Sequence, residues 1–181
     1  IKGALSIAIE AAKNEALHGL IVPRENASEA AVVEGLDVIA VDSLAQTVAF
    51  FAGELELFPT PGRLEELFER FSTYEIDFGD VRGQESAKRA MTLAAAGRHN
   101  LIMIGPPGSG KTMLAKRMPT ILPALDAAES IETTRIYSAL GQLPADQPLL
   151  AKRPFRSPHH TISDAGLVGG GNPPAPGEIS K

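Results

Sequence analysis

The residues with the clearest chemistry are Gly105, Gly110, Lys111 and Thr112 in "GPPGSGKT" (105–112), which satisfy the spacing G-x-x-x-x-G-K-[ST]. Glycines at Gly105, Gly108 and Gly110 let backbone amides curl around an anion with no Cβ in the way. Lys111 supplies a positive charge for β- and γ-phosphates and is the candidate catalytic residue, while the Thr112 hydroxyl is a ligand type suited to Mg²⁺. Ser109 and Met113 complete the cradle, and Pro106 and Pro107 stiffen its entry. The chemistry implied is binding of a nucleoside triphosphate with Mg²⁺.

Such a loop works only between a strand that delivers it and a helix that receives it. "NLIMIG" before the loop is apolar throughout, which predicts a central strand covered on both faces. "KTMLAKRMPTIL" after it predicts a helix broken by Pro119 and Pro123. Another helix is predicted over 84–96, then one over 126–140 and a polar loop over 144–148.

Upstream, helical spacing covers 5–17 with a stop at Gly19, followed by a strand "GLIVP". "NASEAAVVEG" reads as a helix capped by Asn26 or Ser28, "DVIAV" as a second strand, and "LAQTVAFFAG" as a helix capped by Asp42 or Ser43. This alternation predicts an α/β layer over 1–53. Residues 54–76 are acidic and interrupted by Pro59, Pro61 and Gly62, with one short amphipathic helix near 63–71, and read as a linker. A second domain then runs over 77–181.

Charge divides the same way. Residues 1–80 carry 5 Lys and Arg against 15 Asp and Glu, whereas residues 81–181 carry 12 against 7. The basic half suits a polyanion or a solvated basic face, and the pattern leaves both open. There is no cysteine, which excludes disulfides and thiolate metal sites. No apolar run approaches the roughly 20 residues that span a bilayer. A signal peptide is not expected, and the placement expected is cytoplasmic. The chain begins at Ile1 and stops at Lys181 in mid-phrase, so it is expected to be a fragment.

"DFGDVRGQESAKRAMTLAAAGRHNLIMIGPPGSGKTMLAKRMPTILPAL" with "RPFRSPHHTISDAGLVGGGNPPAPGEIS" resembles the magnesium-chelatase-like branch of the AAA+ ATPases, and within it the competence-associated subgroup. The resemblance covers nearly the whole chain. It implies a P-loop AAA+ parallel-sheet domain over 77–181, truncated before the Asp-Glu strand, and a ring, expected to be a homo-hexamer. It places Val81, Arg82, Gly83 and Gln84 near the adenine of ATP, with phosphate and Mg²⁺ contacts at Gly108, Ser109, Gly110, Lys111 and Thr112. "TISDAGLVGGGNPPAPGEIS" resembles an insertion that projects toward the ring's pore. Residues 1–53 resemble the C-terminal part of a Lon-protease-like domain. The lysine of that family's Ser–Lys dyad falls on Ala8, so no proteolysis is expected.

Hydrolysis requires a Mg²⁺ carboxylate and a base on a hydrophobic strand, plus an arginine from a neighbouring subunit. The acids after Lys111 are Asp126, Glu129, Glu132, Asp146, Asp164 and Glu178, and none follows an apolar run of four. The chain is therefore expected to bind ATP with little or no hydrolysis. The resemblance implies a DNA motor acting in helicase or branch-migration work during competence and recombination, with single-stranded or branched DNA as partner. The alternative is a chelatase- or chaperone-type ATPase that remodels a protein without nucleic acid. Lys152, Arg153 and Arg156 are the candidate DNA contacts, or else a solvated loop. Adjacent His159 and His160 diverge on any regular element and make a poor metal pair, and His18 and His99 are isolated.

Overall fold

Parallel pairing here rests on two five-residue strands. In the computed structural model, which describes residues 1–144 and 146–181, β1 (Gly19–Pro23) pairs in parallel with β2 (Asp37–Val41). The register runs from Gly19 opposite Asp37 to Pro23 opposite Val41. Both strands lie where the apolar runs predict them. The chain is thus α/β with a small parallel sheet, and residue 145 of the expected 144–148 loop lies outside the described residues.

Two compact units form. The first comprises Ile1–Phe71, Asp126–Ala151 and Lys181, and the second Ser72–Leu125 with Lys152–Ser180. In the first, α1 (Ala4–Ala12) and the crossover helix α2 (Arg24–Ala30) pack on the sheet. Their core is built of small side chains, Ala8, Ala11, Ala27, Ala30 and Ala31, with Val22, Leu36 and Val38. A second cluster gathers Leu5, Val32 and Leu149, onto which α4 (Leu64–Phe71) lays Leu64, Leu67 and Phe68. The acidic 54–76 stretch thus contributes an apolar face to this unit, and Thr60 donates its amide to Val38 O at 2.7 Å.

Two helix boundaries differ from the sequence expectation. α1 ends at Ala12 rather than near 17, because Asn14 Oδ1 accepts from the Ala16 amide at 3.1 Å and offers the backbone a turn instead of another helical bond. α2 starts at Arg24, straight after Pro23, with no side-chain cap. Asn26, expected as its cap, is drawn into a tertiary contact, accepting from the Ile1 amine at 2.6 Å and donating to Ile1 O at 2.9 Å.

α3 (Leu44–Phe51) begins as predicted, with Ser43 Oγ accepting from Gln46 N at 3.3 Å. Ser43→Ala is expected to cost about 1 kcal/mol, measured as a lower urea midpoint. Beside it, the Arg24 guanidinium grips Asp42 through two bonds of 2.7 and 2.8 Å and holds that carboxyl below its ordinary range. The contribution of this pair is present above the usual carboxylate pKa and is lost as pH falls through the lowered one. Both side chains are solvent-exposed, which keeps it small.

α7 (Ala127–Leu140) packs against α1 within the first unit. Asp126 and Glu129 close a capping box at its start, with Glu129 N donating to Asp126 Oδ1 at 2.7 Å. Beside Tyr137, its buried face carries a row of aliphatic hydroxyls, Ser130, Thr134 and Ser138. Each is satisfied: Ser130 Oγ donates to Leu150 O at 2.7 Å, Thr134 Oγ1 accepts from Leu150 N at 2.8 Å, and Ser138 Oγ donates to Glu29.

In the second unit, α5 (Glu85–Gly97) and α6 (Lys111–Arg117) enclose Val81, Met91 and Leu114, with Phe78, Ala87, Met103, Met118 and Ile121 around them. The predicted strand at "NLIMIG" does not form: residues 100–105 carry no ladder, and Ile102 and Ile104 are 80% and 88% exposed. A strand exists only through partners, and none of the described residues pairs with this run. The Gly-rich end folds as α8 (Asp164–Val168) with a two-residue antiparallel ladder, β3 (Gly169–Gly170) on β4 (Ala175–Pro176).

Candidate functional site

The phosphate-loop sequence sits at the start of α6. Gly110 is the residue before that helix and has φ +85°, and Gly108 has φ +77°, both in the left-handed region that favours glycine. A Cβ on Gly110 would also lie 2.9 Å from the Gln84 amide nitrogen, so a larger residue would displace the end of that side chain as well as strain the backbone. At Gly108 a Cβ would meet nothing within 4 Å, and that side of the loop is open. The first amides of a helix have no intrahelical acceptor and point out of its start.

Lys111 closes the loop from within. Its Nζ donates to Gly105 O at 2.8 Å, Pro106 O at 2.7 Å and Ser109 Oγ at 3.1 Å. The ammonium thereby takes up carbonyl oxygens while holding the glycine turn in shape. Thr112 and Met113 follow on the exposed start of the helix. Beside the loop lies a cavity of about 370 Å³, within the range of small-molecule sites. Lys111, Ser109, Gly105 and Gln84 form its polar side, Leu101, Ile102 and Leu114 its apolar side, and no carboxylate lines it.

The expected base-contacting segment reaches the same place. Val81 is 3% exposed and packs under Met91 and Leu114, while Arg82 and Gly83 run along the surface. Gln84 takes φ +54°, rare for a residue with a Cβ, and this turns its side chain over Gly110. The structure therefore brings Val81–Gln84 and Gly105–Met113 into one neighbourhood.

The basic candidates are placed differently. Arg153 donates from Nε to Pro123 O at 2.7 Å, and its amide donates to the Tyr74 hydroxyl at 3.0 Å. Arg156 pairs with Glu178, at 2.7 Å from Nε and 2.5 Å from Nη2. Lys152 lies over the Tyr74 ring, 5.7 Å from its centre. All three are used in internal contacts. His159 and His160 lie with ring centres 4.2 Å apart, and among the described residues no group of three or more His, Cys, Asp or Glu forms a metal cluster.

Residues that spacing did not single out also frame the site. Asp77 and Asp80 build a capped 3₁₀ turn over Phe78–Asp80, and Arg117 and Thr120 fasten it. The available signal was the Asp-x-x-Asp spacing of "DFGD", a self-capping pattern.

The sequence pattern described as magnesium chelatase, subunit ChlI, matches residues 77–181. Competence protein ComM of Haemophilus influenzae is 43% identical over 162 residues, which is 89% of this chain and 32% of that protein. The protein YifB of Escherichia coli is 41% identical over 180 residues, 99% of this chain and 34% of that protein. An archaeal Lon protease of Halobacterium salinarum is 40% identical over 57 residues, 32% of this chain and 8% of that protein. The chain spans about a third of the length of the first two. No helix among the described residues is long and apolar enough to cross a membrane.

Proposed function

We propose, because the chain belongs to the magnesium chelatase subunit ChlI family, that residues 77–181 are the ATP-holding part of a AAA+ ATPase module. The observation that carries this is the loop itself: glycine-only backbone at Gly108 and Gly110, with the Lys111 ammonium inside the turn. The residues fit the nucleotide. Gly108 leaves open space where phosphate oxygens would approach the loop amides, and Thr112 offers the oxygen ligand type that Mg²⁺ takes. When bound, Mg²⁺ would neutralise phosphate charge. Lys111 would exchange its carbonyl partners for phosphate oxygens, and Val81–Gln84 would orient the base. Lacking a carboxylate in the cavity, this stretch of chain binds ATP with little turnover of its own.

Residues 1–53 serve as a Lon-like, non-proteolytic domain in this reading. Support for that is the position of Ala8, which the resemblance aligns with the dyad lysine and which is fully buried among Ala11, Val22 and Val38. For the protein at its relatives' full length we propose a cytoplasmic, ring-forming homo-hexamer that moves on single-stranded or branched DNA. The likeness to ComM, a competence protein, supports the DNA reading. The second reading, remodelling of a protein partner, is favoured by one observation: Arg153 and Arg156 spend their guanidinium groups on Pro123 O and Glu178.

The test has two stages. This chain is titrated with a fluorescent ATP analogue with and without Mg²⁺, and saturable, Mg²⁺-dependent binding is expected. The full-length protein is then assayed for ATP hydrolysis with and without single-stranded DNA at rising salt. Stimulation that fades with salt is expected, and its absence would transfer the assignment to a protein substrate.

A further inference from the structure

The helix that starts at the phosphate loop ends at Arg117, and this side chain reaches back to the turn that precedes the segment expected to meet the base. Its Nε donates to Asp77 O at 2.9 Å and its Nη2 lies 3.5 Å from Asp80 Oδ2, while Nη1 donates to Met113 O at 3.4 Å. The Arg117 side chain is only 17% exposed. Thr120 holds the same turn from a second side, accepting from Phe78 N at 3.1 Å and donating to Arg117 O at 2.8 Å. The turn is stiff in its own right: Asp77 Oδ1 accepts from Gly79 N at 2.7 Å, and Asp80 Oδ2 accepts from Asp77 N at 2.9 Å.

From this turn the chain passes through Val81, Arg82 and Gly83 to Gln84, whose amide nitrogen lies over Gly110. The Val81 end of this segment is thus tied to the far end of α6 through Arg117, and the Gln84 side chain at its other end lies against Gly110 at the start of α6. A guanidinium presents a planar fork of donors, and here the fork is divided between a carbonyl of the turn, a carboxylate of the turn and a carbonyl of α6 itself. A lysine ammonium is a compact point charge that lacks this planar fork.

We propose that Arg117 is a positioning residue that sets the spacing between the base-contacting segment Val81–Gln84 and the phosphate loop. Through that spacing the site engages base and phosphates together. This rests on the nucleotide-binding reading above. Arg117 touches neither base nor phosphate and acts through Asp77 and Asp80.

The test compares Mg·ATP with inorganic tripolyphosphate, a probe that has the phosphates and no base, by titration calorimetry on the unmodified chain, Arg117→Ala and Arg117→Lys. Loss of hydrogen bonds to a charged donor predicts about tenfold weaker ATP binding for Arg117→Ala. Tripolyphosphate binding should stay within about twofold, and Arg117→Lys should recover part of the ATP affinity. Equal weakening toward both probes would overturn the proposal, since it would make Arg117 a support of the loop alone. Unchanged ATP affinity would overturn it as well. Failure of the unmodified chain to bind either probe would overturn the nucleotide-binding reading and this inference with it, so the two failures are distinguishable. Should Arg117→Ala fail to fold by circular dichroism, Asp80→Asn serves instead, because it removes the ion pair and keeps an acceptor for Asp77 N. It is expected to weaken ATP about threefold with tripolyphosphate unchanged, and an equal loss for both would overturn the proposal.

Discussion

Lys111→Ala lowers the affinity of this chain for Mg·ATP by at least about tenfold while leaving its folding intact. A charge-assisted contact to phosphate contributes roughly 1.5–3 kcal/mol, which corresponds to about 10- to 150-fold in binding. Among the described residues Lys111 is the cation that lies inside the glycine turn, at 2.8 and 2.7 Å from Gly105 O and Pro106 O. The substitution removes the charge and also releases the turn from these carbonyls and from Ser109 Oγ, so the amides lose part of their preorganisation. Folding should be spared, because the core of the second unit is Val81, Met91 and Leu114, which Lys111 does not support. Titration with a fluorescent ATP analogue, alongside a thermal melt, measures both parts. Affinity retained within about threefold would remove the loop from the nucleotide-binding account.

Glu29→Ala destabilises the first unit by about 3 kcal/mol, the second large effect. Glu29 is 8% exposed and its carboxylate is held by three donors: Leu5 N at 3.0 Å, Ser138 Oγ, and Asn26 Nδ2 at 3.4 Å. The Leu5 contact matters because Gly3, the residue before α1, has no side chain to cap it, so Glu29 supplies from α2 the acceptor that the local sequence lacks. The Ser138 contact ties in α7, where Gly3 N also donates to Ser138 O at 3.2 Å. Truncation leaves buried donors on α1 and α7 without an acceptor, and each such loss costs about 1–3 kcal/mol. Glu29→Gln keeps an acceptor and should cost less than half as much. Urea denaturation followed by circular dichroism measures both variants. An unchanged midpoint for Glu29→Ala would show that water replaces the carboxylate at no cost.

These cases show which features could be read from residue order. The glycine turn was legible because its constraint is local: φ +77° at Gly108 and +85° at Gly110 require glycine regardless of what surrounds them. Ser43 and the Asp126–Glu129 box were legible for the same reason, since a cap bonds amides two or three residues away. β1 and β2 were legible because each is a short apolar run bounded by glycine, proline or a charge. The failure at "NLIMIG" marks the limit. Its composition suits a covered strand, yet pairing is a property of two segments, and composition names only one.

By itself, the sequence determined the local devices of this protein: the phosphate-loop backbone with Lys111 at its centre, the helix caps, and the two strands of the first unit. Each depends on groups a few residues apart, so the order of residues is sufficient. Tertiary structure alone decided three things: that Glu29 caps α1, that α7 buries Ser130, Thr134 and Ser138, and that Arg117 grips the turn at Asp77 and Asp80. In each of these a polar group is satisfied by a partner distant in sequence. Hydrophobic periodicity records only which side chains leave water and carries no information about where a buried donor finds its acceptor.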